Sequence, residues 1–318
     1  MTDIENARAA KRAAADQYIE RSYNKYLDDV RRWSLEANDQ KFLDLIVTGR
    51  IADRALLCNK NVRKVMQYAL IDAALDEFQN APLRRWYWIT LAWDLGVTME
   101  RDPCLDLVSL QNVAKHNLRR SGLDGVGTVE IDVWKNLTGE QGRRIVAQIH
   151  FLGWPRDPDN FKWKETQANL RKKRGLRNSL GAHSVVIKPV RPGPSNIAHL
   201  AMYMSKAPAA AKNLVPRPGR NRLWPAELSA GSAVRLIEVL SHIEAGDVLF
   251  SIGEGKNISR AVQREIRLAV RPRAGRRAAP AHDLLEHHWC TIRLVNGSKK
   301  IRTPVIVTRR QKRPMSAQ

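Results

Sequence analysis

Carboxylates are scarce in this chain. Its 318 residues hold 32 Asp and Glu against 54 Lys and Arg, a formal net charge of +22. A surplus of that size points to a polyanionic partner, nucleic acid first. Cysteine is rarer still. Cys58, Cys104 and Cys290 are far apart and odd in number, which excludes a disulfide scaffold and fits a reduced cytosol. No apolar run reaches the roughly 18 residues that a membrane span requires. Asp3 and Glu5 stand where a secretory signal carries positive charge. These absences predict a soluble, cytoplasmic protein with no membrane association. Phenylalanine is also short, five against nine Trp. Some indoles belong to the core, and others in so basic a chain can stack on bases.

The most informative stretch runs over residues 144–153. Ile145, Ala147, Ile149 and Phe151 alternate with Val146, Gln148, His150 and Leu152, the period of a β-strand. Gln148 and His150 therefore share a face. Residues 126–134 alternate likewise, with Glu130 and Asp132 on one face and Val129, Ile131 and Val133 on the other. The polar, glycine-containing segment 135–142 between them predicts a hairpin. With Trp134 near Arg144 or Val146, Glu130 falls across from Gln148 or His150, about 5 Å away between Cβ atoms. The hairpin then presents Glu130, Asp132, Gln148 and His150 together. Carboxylate, amide oxygen and imidazole can hold Mg²⁺ or Mn²⁺ with positions left open for substrate.

Downstream, Pro194-Ser195-Asn196 signals a helix start, and Leu200-Ala201-Met202-Tyr203-Met204-Ser205-Lys206 follows. Tyr203 and Lys206 are three apart and share a helix face, with His199 one turn earlier. A tyrosine beside a lysine and a metal can attack a phosphodiester, because the cations stabilise the charge of the transition state.

An apolar strand (86–93), a hairpin ending in Gln-Ile-His-Phe-Leu (148–152) and Leu-x-x-Tyr-Met-x-Lys (200–206) follow one another in that order. This order resembles the three motifs of the HUH endonucleases, in particular rolling-circle replication initiators of plasmids and phages. The resemblance covers roughly residues 85–208. The third motif, apolar-x-x-Tyr-apolar-x-Lys, is matched at every specified position. The second departs from its pattern, since Gln148 stands where the family has its first histidine. The resemblance implies an α+β fold built on a ferredoxin-like antiparallel sheet of about five strands with flanking helices. It implies Mg²⁺ or Mn²⁺ on Glu130, Gln148 and His150, Tyr203 as nucleophile, and Lys206 stabilising charge. The implied activity is nicking and rejoining of single-stranded or origin DNA through a 5′-phosphotyrosine, with host helicase and polymerase as partners. Two alternatives stay open: a transposase of the same superfamily, and a nucleic-acid-binding protein that keeps the fold without catalysis. A conjugative relaxase fits less well, for lack of a three-histidine motif and an N-terminal tyrosine.

The chain divides into a helical region (1–82), a central domain (83–210) that the resemblance implies is the nicking domain, and a basic C-terminal region (211–318). Helical spacing runs through Ile19, Tyr23, Tyr26, Leu27, Val30 and Trp33, and again over 62–78. Residues 161–175 read as a helix bearing Lys162, Lys164, Arg171, Lys172, Lys173 and Arg174, the best phosphate-contact candidates. The apolar run in 182–190 predicts a strand inside the sheet. Residues 215–220 read as a linker, 232–243 and 258–270 as helices, and 271–280 as a basic tether. Asn296-Gly297 marks a terminal hairpin. Gly253-Glu254-Gly255-Lys256-Asn257 lacks the early glycine and the Ser/Thr of a P-loop, so no NTPase is expected. His282, His287, His288 and Cys290 match no common zinc spacing. Taken singly, Gln148, His150 and Tyr203 are explained as satisfied polar groups or a helix anchor. Their order, together with Glu130, Lys206 and the net charge, carries the functional reading.

Overall fold

The computed structural model describes residues 2–33, 46, 54–137, 143–179, 181–207, 210–215, 222–270, 289 and 301–308. In chain order the elements are α1 (Asp3–Trp33), α2 (Lys60–Asn80), β1 (Tyr87–Leu91), β2 (Val97–Met99), β3 (Cys104–Asp106), α3 (Leu107–Arg120), β4 (Leu123–Lys135), β5 (Arg143–Pro155), α4 (Trp163–Arg171), β6 (Val185–Pro189), α5 (Pro194–Met204), β7 (Ala211–Val215), β8 (Arg222–Ala226), α6 (Ala230–Ser241), β9 (Leu249–Ile252), α7 (Lys256–Val270) and β10 (Val305–Val307).

β4 and β5 form the spine. They pair antiparallel from Leu123↔Pro155 to Lys135↔Arg143, with Trp134 opposite Arg144 and Glu130 opposite Gln148. At 13 residues each, the two strands span about 43 Å at 3.3 Å per residue. That length lets each strand take two neighbours in tandem. β5 pairs with β1 along Ile149–Gly153 and with β2 along Arg144–Val146. β4 pairs with β9 along Gly125–Thr128 and with β7 at Trp134 and Lys135.

The class is α+β, but the sheet is larger than five strands and mixed. Its main path is β6-β1-β5-β4-β7-β8, with β2 and β9 as the additional neighbours, eight strands in all. The β4–β7 pairing is parallel and the other pairings of this sheet are antiparallel. β7, β8 and β9 come from beyond residue 210, where the sequence reading expects no strand before the terminal hairpin; the linker read over 215–220 lies, apart from Val215, outside the described residues. The strand within 182–190 also departs from expectation. β6 lies at the sheet edge, paired with β1 alone. Pro189, which has no N–H to give a ladder, suits that edge.

Helices cover the sheet. α2 opens on Asn59, whose side chain accepts from the backbone N–H groups of Asn61 and Val62 at 2.9 and 3.1 Å. Asp106 caps α3 through the Ser109 N–H at 2.9 Å. α1 buries Ala15, Ile19, Tyr23, Tyr26 and Val30, a stripe at helical spacing, and packs on α2, α5 and α6. α7 buries Ile258, Val262 and Ile266 at four-residue steps and packs on α2. One apolar core includes residues from Ala15 to Ile306. Trp86, Trp93, Trp134, Trp154 and Trp289 are buried, whereas Trp224 is 43 % exposed, so most indoles serve packing rather than stacking on bases. β10 pairs in parallel with β3. The tether 271–280, the His282–Cys290 cluster apart from Trp289, the Asn296-Gly297 turn and the tail beyond 308 lie outside the described residues.

Two glycines let the spine close. Gly125 has φ +151°, and a Cβ there would lie 2.4 Å from the Leu152 carbonyl oxygen. Gly255 approaches the Gly125 carbonyl so closely that its Cβ would fall 1.9 Å from that oxygen. Gly125→Ala is expected to cost about 2–4 kcal/mol of stability. Urea unfolding followed by circular dichroism would read this; an unchanged midpoint would show that the strand accommodates a side chain.

Candidate functional site

The polar residues of β4 and β5 sit on one buried face. Glu130 is 5 % exposed, Asp132 1 %, Gln148 3 % and His150 3 %. One oxygen, Glu130 Oε2, is the meeting point. His150 Nε2 lies 2.6 Å from it, and Gln148 Nε2 donates to it. Gln148 Nε2 also donates to Asp132 Oδ2 at 3.1 Å. An ionised carboxylate only accepts, so the shared proton belongs to His150 Nε2. The other ring nitrogen, Nδ1, faces the Thr90 hydroxyl of β1 at 3.2 Å. Trp88, two residues before Thr90, stacks on the imidazole at 4.9 Å between centroids.

Two ammonium groups close the cluster. Lys206 Nζ lies 3.0 Å from Glu130 Oε1. Lys212 Nζ, from β7, contacts Asp132 Oδ2 and lies 3.4 Å from Glu130 Oε2. Burial on its own would raise the Glu130 carboxyl; Lys212, His150 and Lys206 outweigh that and hold it well below the usual range. Asp132 is pushed up, first by burial and then by repulsion from Glu130. Both lysines are raised above their ordinary value, because the two carboxylates overcome the penalty of burial.

Tyr203 reaches the cluster from α5. Its ring stands edge-on to His150 at 5.3 Å and to Trp88 at 5.7 Å. Lys206 Nζ sits 3.7 Å from the centre of the Tyr203 ring. The ring is half-buried. Tyr203 and Lys206 are placed by the way α5 ends. The last carbonyls of a helix lack intrahelical donors. Here Gln67 Nε2 donates to Met202 O at 3.4 Å, Thr128 Oγ1 to Met204 O at 2.6 Å, and Arg63 Nη1 to Lys206 O at 3.1 Å. Arg63 Nε is fixed by Leu57 O at 2.8 Å, and the Tyr18 hydroxyl donates to Ala207 O. Helices α1 and α2 thus hold the end of α5 on the sheet.

Every residue expected at the centre is therefore within one cluster: Glu130, Asp132, Gln148, His150, Tyr203 and Lys206. His199 is not. It is exposed, and partial burial with Lys11 nearby holds it below its usual value. The cationic stretch divides. α4 spans only Trp163–Arg171. Arg171 Nε donates to Val185 O at 2.9 Å, which ties the helix to β6. Lys162 pairs with Glu165 at 3.6 Å, and Lys164 lies 5.6 Å from the Trp163 ring. Lys172, Lys173 and Arg174 are exposed on the turn that follows. Lys212, Thr90, Arg63 and Gln67 escape sequence reasoning. Lys212, Arg63 and Gln67 belong to no motif, Thr90 lies in the apolar strand 86–93 without being marked by it, and each acts through a partner distant in the chain.

The groups expected to hold a divalent cation are engaged with one another: Gln148 presents its N–H to both carboxylates, and His150 Nε2 faces Glu130 Oε2. The Glu130 carboxylate, the Gln148 amide and the His150 imidazole converge, and Glu130 Oε1 is held by the Lys206 ammonium at 3.0 Å. Among the described residues no group of three His, Cys, Asp and Glu is arranged to hold a metal; the set reaches three donors only by counting the Gln148 amide. Space is limited. A cavity of about 10 Å³ behind Glu130 is lined by Arg63, Met204, Ser205 and Lys206, roughly the volume one water centre needs. A larger cleft of about 500 Å³, lined by Arg84, Trp154, Arg156 and Glu254, lies at the far end of β5 and shares none of the cluster's residues. No helix among the described residues is long and apolar enough to cross a membrane. No family model, curated protein or solved structure matches the chain.

Arg63 is 5 % exposed and spans Leu57 and the end of α5. Arg63→Met would leave those carbonyls unpaired, at a cost of about 1–3 kcal/mol. The urea midpoint checks this, and a shift within error would place the support of α5 elsewhere.

Proposed function

We propose that this chain nicks and rejoins single-stranded DNA with Tyr203 as nucleophile, in the manner of a rolling-circle replication initiator of the HUH type. The observation that carries the reading is the meeting of Tyr203 and Lys206 with Glu130, Gln148 and His150 on one sheet face. Tyr203 Oη attacks the phosphorus of the scissile phosphodiester. The Oη–P bond forms and the P–O3′ bond breaks. The strand 3′ of the break stays joined through its 5′ phosphate, and the other leaves with a 3′ hydroxyl. The phenol proton passes to solvent and the leaving oxygen takes up another. Attack of a 3′ hydroxyl on the phosphotyrosine reverses the step and rejoins a strand.

The residues of this chain divide the work. Lys206 stays protonated beside Glu130 and places positive charge against the Tyr203 ring, where it would offset the negative charge of the phosphoryl transition state. Trp88 stacks on the imidazole of His150, and Thr90 bonds its Nδ1, so together they fix the ring's orientation. Glu130, Gln148 and His150 would hold Mg²⁺ or Mn²⁺, which when bound supplies Lewis-acid stabilisation to the phosphoryl oxygens. α4 packs on β6, next to the strand that bears Trp88 and Thr90, and the exposed Lys172, Lys173 and Arg174 extend from it as phosphate contacts. A polymerase would extend the 3′ hydroxyl, with a host helicase opening the duplex ahead of it.

One observation favours a second reading. The two carboxylates are already balanced by Lys206 and Lys212, as in a nucleic-acid-binding protein that keeps the fold without catalysis. The covalent intermediate separates the two.

Tyr203→Phe removes one hydroxyl from a half-buried ring. It is expected to keep single-strand affinity and to eliminate cleavage and the covalent protein–DNA species. Mass spectrometry of the nuclease-trimmed adduct should place the nucleotide on Tyr203. Full cleavage by the variant, or a nucleotide on another tyrosine, would remove Tyr203 from the role.

Replacing Lys172, Lys173 and Arg174 with Gln should reduce the dependence of binding on salt. Three lost contacts to a single strand correspond to a slope smaller by about 2 in log K against log [salt]. A slope that stays put would assign these cations to solvent.

A further inference from the structure

The cleft of about 500 Å³ at the far end of β5 is built on two stacked flat groups. The Trp154 indole is 3 % exposed, and the Arg84 guanidinium carbon lies over its ring, 4.3 Å from the centre. Arg84 is held there by its ends. Its Nη1 donates to Glu77 Oε1 and its Nη2 to Glu254 Oε2 at 2.9 Å. With those nitrogens engaged and one face on the indole, Arg84 offers the cleft its other face. A guanidinium face is a stacking surface for an unpaired nucleobase. Leu83 stands at the rim, 96 % exposed, its apolar surface open to a partner.

The walls carry hydrogen-bonding groups of both signs. Arg85 uses Nη1 to donate to Pro158 O at 3.2 Å. That leaves its Nε and Nη2, the edge that can donate twice to one partner. The Asp159 carboxylate, three residues beyond Arg156 on the exposed turn, makes no ion pair among the described residues. Around the cleft, Arg84, Arg85 and Arg156 meet Asp124, Asp159 and Glu254, three charges of each sign. A phosphate group needs a net positive seat; a flat ring with donors and acceptors on its edges suits this balance. Guanine answers both signs. Its O6 and N7 accept from an arginine fork, and its N1–H and N2–H₂ donate to a carboxylate.

We propose that this cleft takes one unpaired guanine of a single strand, stacked on Arg84, with Arg85 donating to O6 and N7 and Asp159 accepting from the Watson–Crick edge. Use of that edge requires the base to be unpaired. A strand as the source, rather than a free nucleotide, follows from the +22 net charge of the chain set against a cleft that has no surplus cation for a terminal phosphate. The inference does not rest on the nicking chemistry. Trp154 lies four residues beyond His150 on β5, about 13 Å along the strand, so the cleft is a separate seat whichever reading of the cluster holds.

The test is fluorescence anisotropy of labelled single strands with the full chain at one salt concentration. A short oligothymidine is compared with the same strand carrying one central guanine, adenine or cytosine. The guanine strand should bind about tenfold more tightly than oligothymidine, the size of one good bidentate base contact. Adenine and cytosine should give no such gain. Asp159→Asn, a near-isosteric change on an exposed turn, should keep oligothymidine binding and lose the guanine preference. Arg84→Met should lose it too, with circular dichroism reporting folding; if that variant does not fold, Asp159→Asn decides. Equal binding of the four strands, a preference for another base, or an undiminished guanine preference in Asp159→Asn would overturn the proposal. Deoxyguanosine monophosphate that binds as tightly as the guanine strand would overturn the assignment to a strand. These outcomes bear on the cleft alone, since the Tyr203 adduct is read separately.

Discussion

A buried carboxylate organises this molecule. Glu130 sits 5 % exposed in the middle of the longest strand pair, where an unpaired charge is costly. It stays ionised because Lys206, Lys212 and His150 surround it. Those three partners come from the end of α5, from β7 and from β5. The central hairpin cannot keep its charge without elements that follow it in the chain. Removing one partner of such a buried pair typically costs about 3–5 kcal/mol. The long-range architecture and the chemistry of the site are thus one constraint.

The same logic explains the N-terminal helices. Between them, α1 and α2 contribute Tyr18, Arg63 and Gln67 to the carbonyls at and after the end of α5. Those carbonyls need donors in a buried setting. Satisfying them fixes the turn that carries Lys206 onto Glu130 and leaves the Tyr203 ring against His150. A region that reads in sequence as a plain helical bundle acts structurally as the clamp for the proposed nucleophile.

Local pattern made much of the site legible. Alternation placed Glu130, Asp132, Gln148 and His150 on one face, and the observed register sets Glu130 opposite Gln148. The helix-start signal at Pro194 placed Tyr203, but Lys206 is not on the helix face that the three-residue step predicts: α5 ends at Met204, and Lys206 reaches the Tyr203 ring from the turn after it. What pattern missed depends on tertiary context. β7 is five residues long with polar Lys212 and Asn213 inside it, so no period marks it as a strand. The tandem pairing along β4 and β5 follows from their length, which the flanking residues of the predicted hairpin understate. The apolar run of β6 reads as interior, but its exposed Lys188 and Pro189 belong to an edge. Arg171 looks like a phosphate contact by composition and is a tie between α4 and β6 by geometry.

The central claim, a proposal, is that this cluster joins Tyr203 to the 5′ phosphate at a break in a DNA strand. The direct measurement uses single-stranded DNA from the sequence flanking the gene that encodes the chain, labelled separately at each end, incubated with the full chain and Mn²⁺ and run on a denaturing gel. The account predicts that only the 3′-end label stays with the protein, while the 5′-labelled fragment runs free and can be extended by a polymerase. Retention of the 5′ label instead, or no denaturation-resistant species with either label, would contradict it.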